Sequence, residues 1–440
     1  MNDEIITRLM DLLPESMRRR AGVTFESLMA PIKDLLNRRQ FPATGLTDLQ
    51  VEWLLRMLSS MDSDKDPEAA RVGEREGRIA SDLIGELSAG FNHGIGRSGH
   101  ITAPQPKAAG ASLMQRLANQ VSLDAIRKLG LPNVRGGIVL PMSTGMSIAL
   151  SLSYLRAKYG TERVLYPRID HRSPTRGIAL SGLREVAVET RIDGDAVQCD
   201  CEHLEEVASR ETNCAVLATT TFFAPREPDP VKEIAKICQE KDMPMVINNA
   251  YGVQSEEIME TIRSAIDAGR VDVVIQSNDK NFLTPVGGSV VVSPDEGSIE
   301  GIAETYAGRA SAAPVVQTLA ALLVLGYQGY LELREQQKMN REFLENTLSG
   351  MAEEFGQRVL KAKNPVSCAI TLDDINADEL GARLYTRRVT GPRAVEKGAW
   401  GSSVDDYPHS YLVMNAAIGA RKKDLEGATA KLYKELGEVS

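Results

Sequence analysis

Short apolar segments alternate with helix-like segments between about residues 70 and 310, and this alternation constrains the fold more than any other feature of the sequence. Strands that alternate with helices predict a mostly parallel sheet that is covered by helices on both faces. Ligands of such sheets collect at the carboxyl ends of the strands. Seven segments are predicted to be strands of this sheet: GGIVLPM, RVLYPRI, EVAVETR, CAVLATTT, PMVINNA, VDVVIQS and GGSVVVS.

The chain is predicted to be an α/β protein with three parts. Residues 1–66 carry apolar residues at three- and four-residue spacing, which predicts a helical N-terminal extension in which Thr47 caps a helix. Residues 67–313 are predicted to form a large α/β domain with a mostly parallel sheet. Residues 314–440 are predicted to begin with a long helix and to form a small α+β C-terminal domain.

Charge and hydropathy limit the classes of function. The net charge of −9 argues against nucleic-acid binding through a globally basic surface. A local basic patch at Arg18, Arg19 and Arg20 stays open, and a solvated helix face is the alternative. No window approaches the length of a transmembrane helix, and acidic residues stand where a signal peptide needs basic ones. We therefore expect a cytoplasmic protein without a membrane partner.

The cysteines predict neither disulfides nor a metal centre. There are 5 of them, an odd number without the spacing of a disulfide framework, which suits a reducing compartment. The segment from Cys199 to His203 has metal-binding side chains, but its spacing matches no zinc signature. We expect no metal.

Lys280 is the first candidate for a catalytic residue. It follows the predicted buried strand VDVVIQS by a few residues and precedes the pair Gly287 and Gly288, which leads into the next strand. A partly desolvated lysine in such a place can form a Schiff base with an aldehyde cofactor. An ordinary lysine in a surface loop is the alternative.

Two further motifs favour the cofactor hypothesis. Ser143, Thr144 and Gly145 lie between a predicted strand and a predicted helix, and a helix N-terminus of this kind can bind a phosphate or can simply be capped. Asn248 ends the predicted strand PMVIN, at the position where enzymes of pyridoxal-phosphate fold type I usually have an acidic residue. The order of phosphate turn, ring-nitrogen residue and Lys280 matches that fold type.

A larger set of motifs resembles one enzyme family, that of O-phosphoseryl-tRNA:selenocysteinyl-tRNA synthase from archaea and eukaryotes. The resemblance covers most of the chain and becomes less distinct after about residue 360. The segments that carry it are GEREGRIAS, HGIGRSGHITAPQPKAAG, LPMSTGMS, YPRIDHRS, TTTFFAPREPDPVKEIAKIC, INNAYGVQS, QSNDKNFLTPVGG and YAGRASAAP.

The resemblance implies pyridoxal 5'-phosphate as cofactor and assigns the residues that hold it. Lys280 would be the Schiff-base lysine, Asn248 would face the ring nitrogen and His171 would stack on the ring. The remaining residues would bind the cofactor phosphate, with the arginine reaching across from a partner subunit: Arg75, Ser143, Thr144 and Gly145.

The resemblance also implies a site for the phosphate of the phosphoseryl group, made by Arg97, Ser98, Gln105 and Arg309. The first two lie in a segment that formally matches GxGxxG. No strand precedes this segment, so it is a poor dinucleotide motif but a suitable cradle for a small phosphate. Glu74 would repel the ionised carboxylate of free phosphoserine, and an exposed glutamate without function is the alternative.

The activity implied is conversion of O-phosphoseryl-tRNA(Sec) to selenocysteinyl-tRNA(Sec) with selenophosphate as donor. The resemblance further implies a homotetramer with active sites at subunit interfaces, and tRNA contacts from the N-terminal helices and the C-terminal part. Two alternatives remain open at this point, a sulfur transferase that makes cysteinyl-tRNA and a tRNA-binding relative without catalysis. The role of His100, where relatives can carry an acidic residue, stays open as well.

Overall fold

The computed structural model describes residues 3–439, and strands and helices alternate along most of its length. The strands are β1 (Gly136–Leu140), β2 (Arg163–Pro167), β3 (Arg184–Val188), β4 (Thr190–Asp193), β5 (Ala196–Cys199), β6 (Cys214–Thr219), β7 (Met245–Asn248), β8 (Val273–Ser277), β9 (Ser289–Ser293), β10 (Ser367–Thr371), β11 (Arg393–Val395) and β12 (Tyr411–Asn415). The helices are α1 (Asp3–Met10), α2 (Glu15–Arg38), α3 (Asp48–Ser59), α4 (Asp82–Glu86), α5 (Ala109–Lys128), α6 (Thr144–Tyr159), α7 (Arg172–Leu180), α8 (Cys201–Arg210), α9 (Val231–Glu240), α10 (Glu256–Ala268), α11 (Asn278–Asn281), α12 (Glu296–Thr305), α13 (Ala313–Glu354), α14 (Ala377–Thr386) and α15 (Lys422–Val439).

A seven-stranded sheet with the order β1-β9-β8-β7-β6-β2-β3 forms the centre of the molecule. Strands β3, β2, β6, β7 and β8 pair in parallel, whereas β9 is antiparallel to both of its neighbours. Every residue of β6, β7, β8 and β9 is buried, as expected for strands covered on both faces. The predicted α/β class and the seven predicted strands are confirmed. The hairpin of β4 and β5 was not predicted.

The N-terminal helices pack on this sheet domain. Thr47 caps α3 as predicted: its side chain accepts a hydrogen bond from the Gln50 backbone, and the Gln50 side chain accepts one from the Thr47 backbone. Ile32 of α2 and Leu54 of α3 are fully buried in the same core as the sheet residues. The extension is therefore part of the large core rather than a separate folding unit.

Helix α13 is interrupted at Gly326, whose φ of 60° is not helical. The interruption meets the loop before α3, because Leu46 N–H donates to the Leu323 carbonyl (2.8 Å) and Tyr327 N–H donates to the Pro42 carbonyl (2.8 Å). Backbone groups freed by the break are thus paired with the N-terminal extension. A Cβ at Gly326 would lie 2.4 Å from the backbone nitrogen of Gly45, so only glycine fits.

The two halves of α13 belong to different cores. Leu319 and Leu323 pack in the core of the sheet domain, whereas Leu344 and Leu348 pack with β10, β12 and α15. Helix α13 is also the one helix within residues 3–439 that is long and apolar enough to span a membrane by length and composition, because an 18-residue window in it has a mean hydropathy of 1.2. The expectation that no window approaches this length is therefore wrong. The burial of α13 and its break at Gly326 are features of a core helix. The predicted domain limits at residues 66 and 313 stay predictions.

We expect Gly326→Ala to lower the free energy of unfolding by roughly 3 kcal/mol, because the new Cβ meets backbone and the residue keeps a positive φ. Gly350→Ala, in the same helix with open space around it, serves as the control and should raise that free energy by about 0.5–1 kcal/mol. Urea unfolding measures both values. Equal effects of the two substitutions would contradict this account of the break.

Candidate active site

Polar side chains follow five strands at one edge of the sheet. Because β1 is antiparallel to β9, and β9 to β8, strand β1 points in the same direction as β8. The carboxyl ends of β1, β2, β6, β7 and β8 therefore meet at one edge, here called the carboxyl edge. The residues at or just beyond these ends are Thr144, His171, Thr221, Asn248 and Lys280.

Lys280 lies on the four-residue helix α11, directly after β8, and buried asparagines hold this turn in place. Asn278 donates from its backbone to the Gly288 carbonyl (3.1 Å) and from its side chain to Thr318 Oγ1 (2.7 Å). Asn281 donates to the Ala250 carbonyl (2.8 Å). The backbone of the lysine is therefore fixed, while its side chain extends to the surface of a cavity.

The cavity beside Lys280 has a volume of about 290 Å³ and a mostly aromatic and apolar lining. Such a space suits a flat aromatic ligand with a few polar attachment points. Its lining combines the large domain with the C-terminal part of the chain: Ile169, His171, Thr221, Phe222, Phe223, Asn248, Ala250, Tyr251, Gln254, Asp279, Lys280, Leu283, Val366, Asn415, Ala417 and Ile418. A larger cleft of about 1040 Å³ beside α10 and α13 contains none of the predicted site residues.

Several polar atoms at the carboxyl edge are buried without a hydrogen-bond partner, and two of them belong to residues predicted to bind the cofactor. These two are Oδ1 of Asn248 and Oγ1 of Thr144, and neither is paired within residues 3–439. A buried unpaired polar group is costly, so each such atom needs an explanation. A phosphate would accept a hydrogen bond from the Thr144 hydroxyl, and the Asn248 amide, which lines the cavity, has both a donor and an acceptor to offer a ring nitrogen. The residues present therefore fit pyridoxal phosphate.

The N-terminus of α6 is open to a ligand. Ser143 is the N-cap residue, but its side chain makes no capping hydrogen bond. The first backbone N–H groups of this 16-residue helix remain available for an anion. Gly145 allows the first turn of α7 to approach closely, because a Cβ at Gly145 would lie 2.3 Å from Ser173 Oγ. The predicted phosphate turn thus packs directly against the segment that follows His171.

His171 forms one wall of the cavity and begins α7, where its side chain accepts a hydrogen bond from the Ser173 backbone (3.3 Å). Its ring packs edge-on against Phe222, with 6.1 Å between ring centroids. Burial lowers the pKa of His171, and the positive charges of Lys280 and Arg393 lower it further. The imidazole is therefore neutral near pH 7, as a ring that packs on an apolar ligand should be.

The residues predicted to bind the substrate phosphate lie in or near a second feature, here called the anion loop (residues 93–100). The loop is paired with residue 310, because Ile95 and Ala310 exchange two backbone hydrogen bonds (3.0 and 3.2 Å). Arg309 donates from Nε to the Gly96 carbonyl (3.2 Å) and from its other end to the His93 carbonyl. The structure thus joins Arg97, Ser98 and Arg309 into one unit.

Arg309, which holds the anion loop, lies near a second guanidinium group. Burial lowers the pKa of Arg309, and the nearby charge of Arg75 lowers it as well. An anion between such guanidinium groups would relieve their repulsion. None of Arg75, Arg97, Ser98 and Gln105 lines the Lys280 cavity in the described part of the chain. Ser143, Thr144 and Gly145 are absent from this lining as well, so the cavity itself brings together only His171, Asn248 and Lys280 of the predicted site residues.

The candidate filter residue Glu74 is exposed, as is Arg75. The neighbouring Glu76 is buried, has a φ of 46° and pairs with Lys107. The interaction with Lys107 lowers the pKa of Glu76. Sequence analysis did not single out Glu76, because nothing in GEREGR distinguishes its two glutamates.

His100 pairs with Glu300 across the outer end of the anion loop, at 2.9 Å. Ligand atoms of His100, Glu300 and Glu304 lie within 4.8 Å of one another. The two glutamates are exposed, and exposed acidic groups commonly lie together without a metal. The expectation that the protein binds no metal stays a prediction.

Several cavity residues were missed because they come from distant parts of the chain. Val366, Asn415 and Ile418 reach the cavity from the C-terminal part, and Arg393 lies over Phe222 at 5.6 Å. Their local sequence carries no cofactor motif. Phe222 lies within a segment that carries the family resemblance, but a phenylalanine by itself does not indicate a functional role.

The fold and the cavity define a class of protein, the enzymes of pyridoxal-phosphate fold type I. The solved structure of Oryza sativa TDC with PLP and tryptamine matches 94% of this chain and 98% of its own length, with a TM-score of 0.60. Its sequence identity of 12% makes this a likeness of fold alone. The predicted fold type is thereby confirmed.

Closer comparisons identify the family. The family profile of O-phosphoseryl-tRNA(Sec) selenium transferase matches residues 61–437. The selenium transferase of Methanococcus maripaludis is 43% identical over 433 residues, which cover 97% of this chain and 98% of the relative. The crystal structure of an archaeal O-phosphoseryl-tRNA(Sec) selenium transferase has a TM-score of 0.93 at 42% identity and covers 96% of this chain and 98% of its own. The chain belongs to this selenium transferase family, and the resemblance seen in the sequence is confirmed.

We expect Lys280→Met to raise the pKa of His171 toward its ordinary value of 6.5, because the substitution removes a positive charge that disfavours the imidazolium. NMR titration of the imidazole in the cofactor-free protein measures the change, and the 5 histidines of the chain keep the spectrum simple. Lys236→Met, at an exposed lysine of α9, is the control and should leave the titration unchanged. An unchanged midpoint in Lys280→Met would show that the lysine does not face His171.

Proposed function

We propose that this protein converts O-phosphoseryl-tRNA(Sec) to selenocysteinyl-tRNA(Sec) with selenophosphate as the selenium donor. The observation that carries the proposal is the position of Lys280 beside a cavity at the carboxyl edge, where Asn248 Oδ1 and Thr144 Oγ1 are buried and unpaired. Membership of the selenium transferase family supports the same activity.

The residues of the carboxyl edge would hold pyridoxal phosphate. Lys280 would bind its aldehyde carbon, Asn248 would face the ring nitrogen and His171 would cover one ring face. The phosphate would lie at the N-terminus of α6, bound by Ser143, Thr144 and Gly145, with Arg75 contributed by a partner subunit. When bound, the cofactor withdraws electrons from the substrate's α-carbon and makes its proton acidic.

The chain's own groups would carry out the proton transfer and stabilise the leaving phosphate. The Lys280 amine would lie beside the substrate's α-carbon and would accept its proton. Loss of the β-phosphate would leave a dehydroalanyl group on the tRNA. The selenium of selenophosphate would add to its β-carbon, the α-carbon would regain a proton, and hydrolysis of the Se–P bond would release a second phosphate. Arg97, Ser98, Gln105 and Arg309 would stabilise the charge on the departing phosphate.

Two residues would tune selectivity. Asn248 is a neutral amide and cannot stabilise a protonated ring nitrogen as a carboxylate does, so proton loss is favoured only when phosphate can leave. Glu74 would repel the α-carboxylate of free phosphoserine, which is an uncharged ester in the aminoacyl-tRNA. The role of Asn248 favours a substrate with a leaving phosphate, and the role of Glu74 favours the tRNA-bound form of that substrate.

The assembly that we propose is a homotetramer with active sites at subunit interfaces, in the cytoplasm. No residue of the anion loop lines the Lys280 cavity in the described part of the chain, and this supports a site completed by a partner subunit. The N-terminal helices, with Arg18, Arg19 and Arg20 exposed on α2, and the C-terminal domain are the proposed contacts of the tRNA.

Lys280→Ala should abolish the visible absorbance of the bound cofactor and lower turnover of phosphoseryl-tRNA(Sec) by at least about 10²–10⁴-fold, because the variant lacks both the cofactor link and the base. Lys236→Ala, at the exposed lysine of α9, is the matched control and should keep both properties.

A second experiment measures turnover of the wild-type enzyme with selenophosphate as donor and, separately, with a sulfur donor. Efficient formation of cysteinyl-tRNA and none of selenocysteinyl-tRNA would favour the sulfur transferase instead.

We expect Asn248→Asp to raise exchange of the α-proton with solvent, relative to loss of phosphate, by about tenfold, because a carboxylate stabilises the protonated ring nitrogen. Deuterium incorporation and phosphate release measure the two rates. Asn248→Ala removes the amide without adding a charge and separates the charge effect from the lost contact. The proposed role of Asn248 is wrong if the aspartate variant changes neither rate nor product distribution.

A further inference from the structure

Asp170 is buried immediately before His171, and its carboxylate is bound by the C-terminal part of the chain. Its Oδ2 accepts hydrogen bonds from the backbone N–H groups of Gly401 (2.8 Å) and Ser403 (3.0 Å). Its Oδ1 accepts from Arg168 Nε (3.1 Å). The side chain is 3% exposed, so water plays little part in these contacts.

The loop that supplies these donors, residues 400–405, is here called the closing loop. Two further contacts of this loop reach the segment before His171. Ser403 Oγ accepts from the backbone N–H of Asp170 (3.0 Å), and Asp405 pairs with Arg168 (2.9 Å). On its other side the loop is fixed to β12, because the Tyr411 hydroxyl donates to the Gly401 carbonyl (3.3 Å).

We infer that Asp170 is a positioning residue, which sets the orientation of His171 in the cavity by binding the closing loop of the C-terminal domain. The inference rests on the proposed function, in which His171 covers the cofactor ring. Charge-assisted hydrogen bonds to two backbone N–H groups are strong and directional, so they define the path of the chain at residue 170. His171 N–H bonds back to the Ile169 carbonyl (2.8 Å), and the imidazole direction follows from this path.

The position of one cavity wall thus depends on contacts between the large domain and the C-terminal part of the chain. Ile169 and His171 line the cavity, whereas Asp170, between them, faces the closing loop. Movement of the C-terminal domain would therefore move the ring that covers the cofactor. A small displacement of such a group can cost on the order of tenfold or more in rate.

The test compares Asp170→Asn with Asp272→Asn. Asp272 is also a buried aspartate, which accepts a hydrogen bond from the Met245 backbone N–H (2.9 Å) and pairs with Arg270 (3.0 Å). It lies just before β8, at the opposite end of that strand from Lys280 and therefore away from the site. Loss of a nearby carboxylate charge would by itself lower the pKa of His171, whereas release of the ring into water would raise it. The direction of the change therefore separates positioning from a simple charge effect.

In cofactor-free Asp170→Asn we expect NMR titration to show a rise of about half a unit or more in the His171 pKa, as solvation is restored. In the cofactor-bound enzyme we expect kcat to fall about tenfold with KM for the aminoacyl-tRNA nearly unchanged. Asp272→Asn should lower the melting temperature to a similar extent and change neither His171 nor kcat. Equal His171 titrations in the two variants would overturn the inference.

Ser403→Gly provides a second variant should Asp170→Asn fail to fold. It removes the hydroxyl that Asp170 N–H binds, and glycine suits the φ of 67° at this position. We expect a smaller shift of the His171 titration in the same direction, and no shift would count against the inference. Absence of turnover in the wild type would refute the proposed function, while the titration of His171 would still decide the role of Asp170.

Discussion

Burial of both faces of the central sheet is the constraint on which the rest of the structure depends. Strands β6, β7, β8 and β9 are buried along their whole length, so polar groups can meet a ligand only where the strands end. The carboxyl edge accordingly carries Thr144, Asn248 and Lys280. The cavity, the open N-terminus of α6 and the two unpaired polar atoms all follow from this geometry.

Contacts between distant parts of the chain support this edge from two sides. The N-terminal extension satisfies the backbone at the break of α13, where Gly45 and Gly326 allow close approach. The C-terminal part supplies cavity residues such as Asn415, and its closing loop binds Asp170. The site is therefore built from nearly the whole chain, which agrees with family similarity that extends from residue 61 to residue 437.

The guanidinium groups beside the anion loop do not line the Lys280 cavity within residues 3–439. Arg309 donates hydrogen bonds to the carbonyls of Gly96 and His93. It therefore fixes the anion loop in addition to contributing a positive charge. Arg75 lies close enough to lower the pKa of Arg309. A guanidinium group that is fixed in this way is well suited to bind a phosphate group. The absence of these arginines from the lining of the Lys280 cavity is the structural reason for proposing a shared site.

The seven strands, the cap at Thr47 and the order of Thr144, Asn248 and Lys280 could all be predicted from the amino-acid sequence. Periodicity, capping and strand ends are local properties of a chain, so they can be read without the fold. The motifs of the sequence also identified the family. Only the tertiary structure decided that α13 breaks at Gly326, that Glu76 rather than Glu74 is buried against Lys107, and that Asp170 binds a loop 231 residues away. These features depend on contacts between residues that are far apart in the sequence and come together only when the chain packs. No local sequence pattern specifies such contacts.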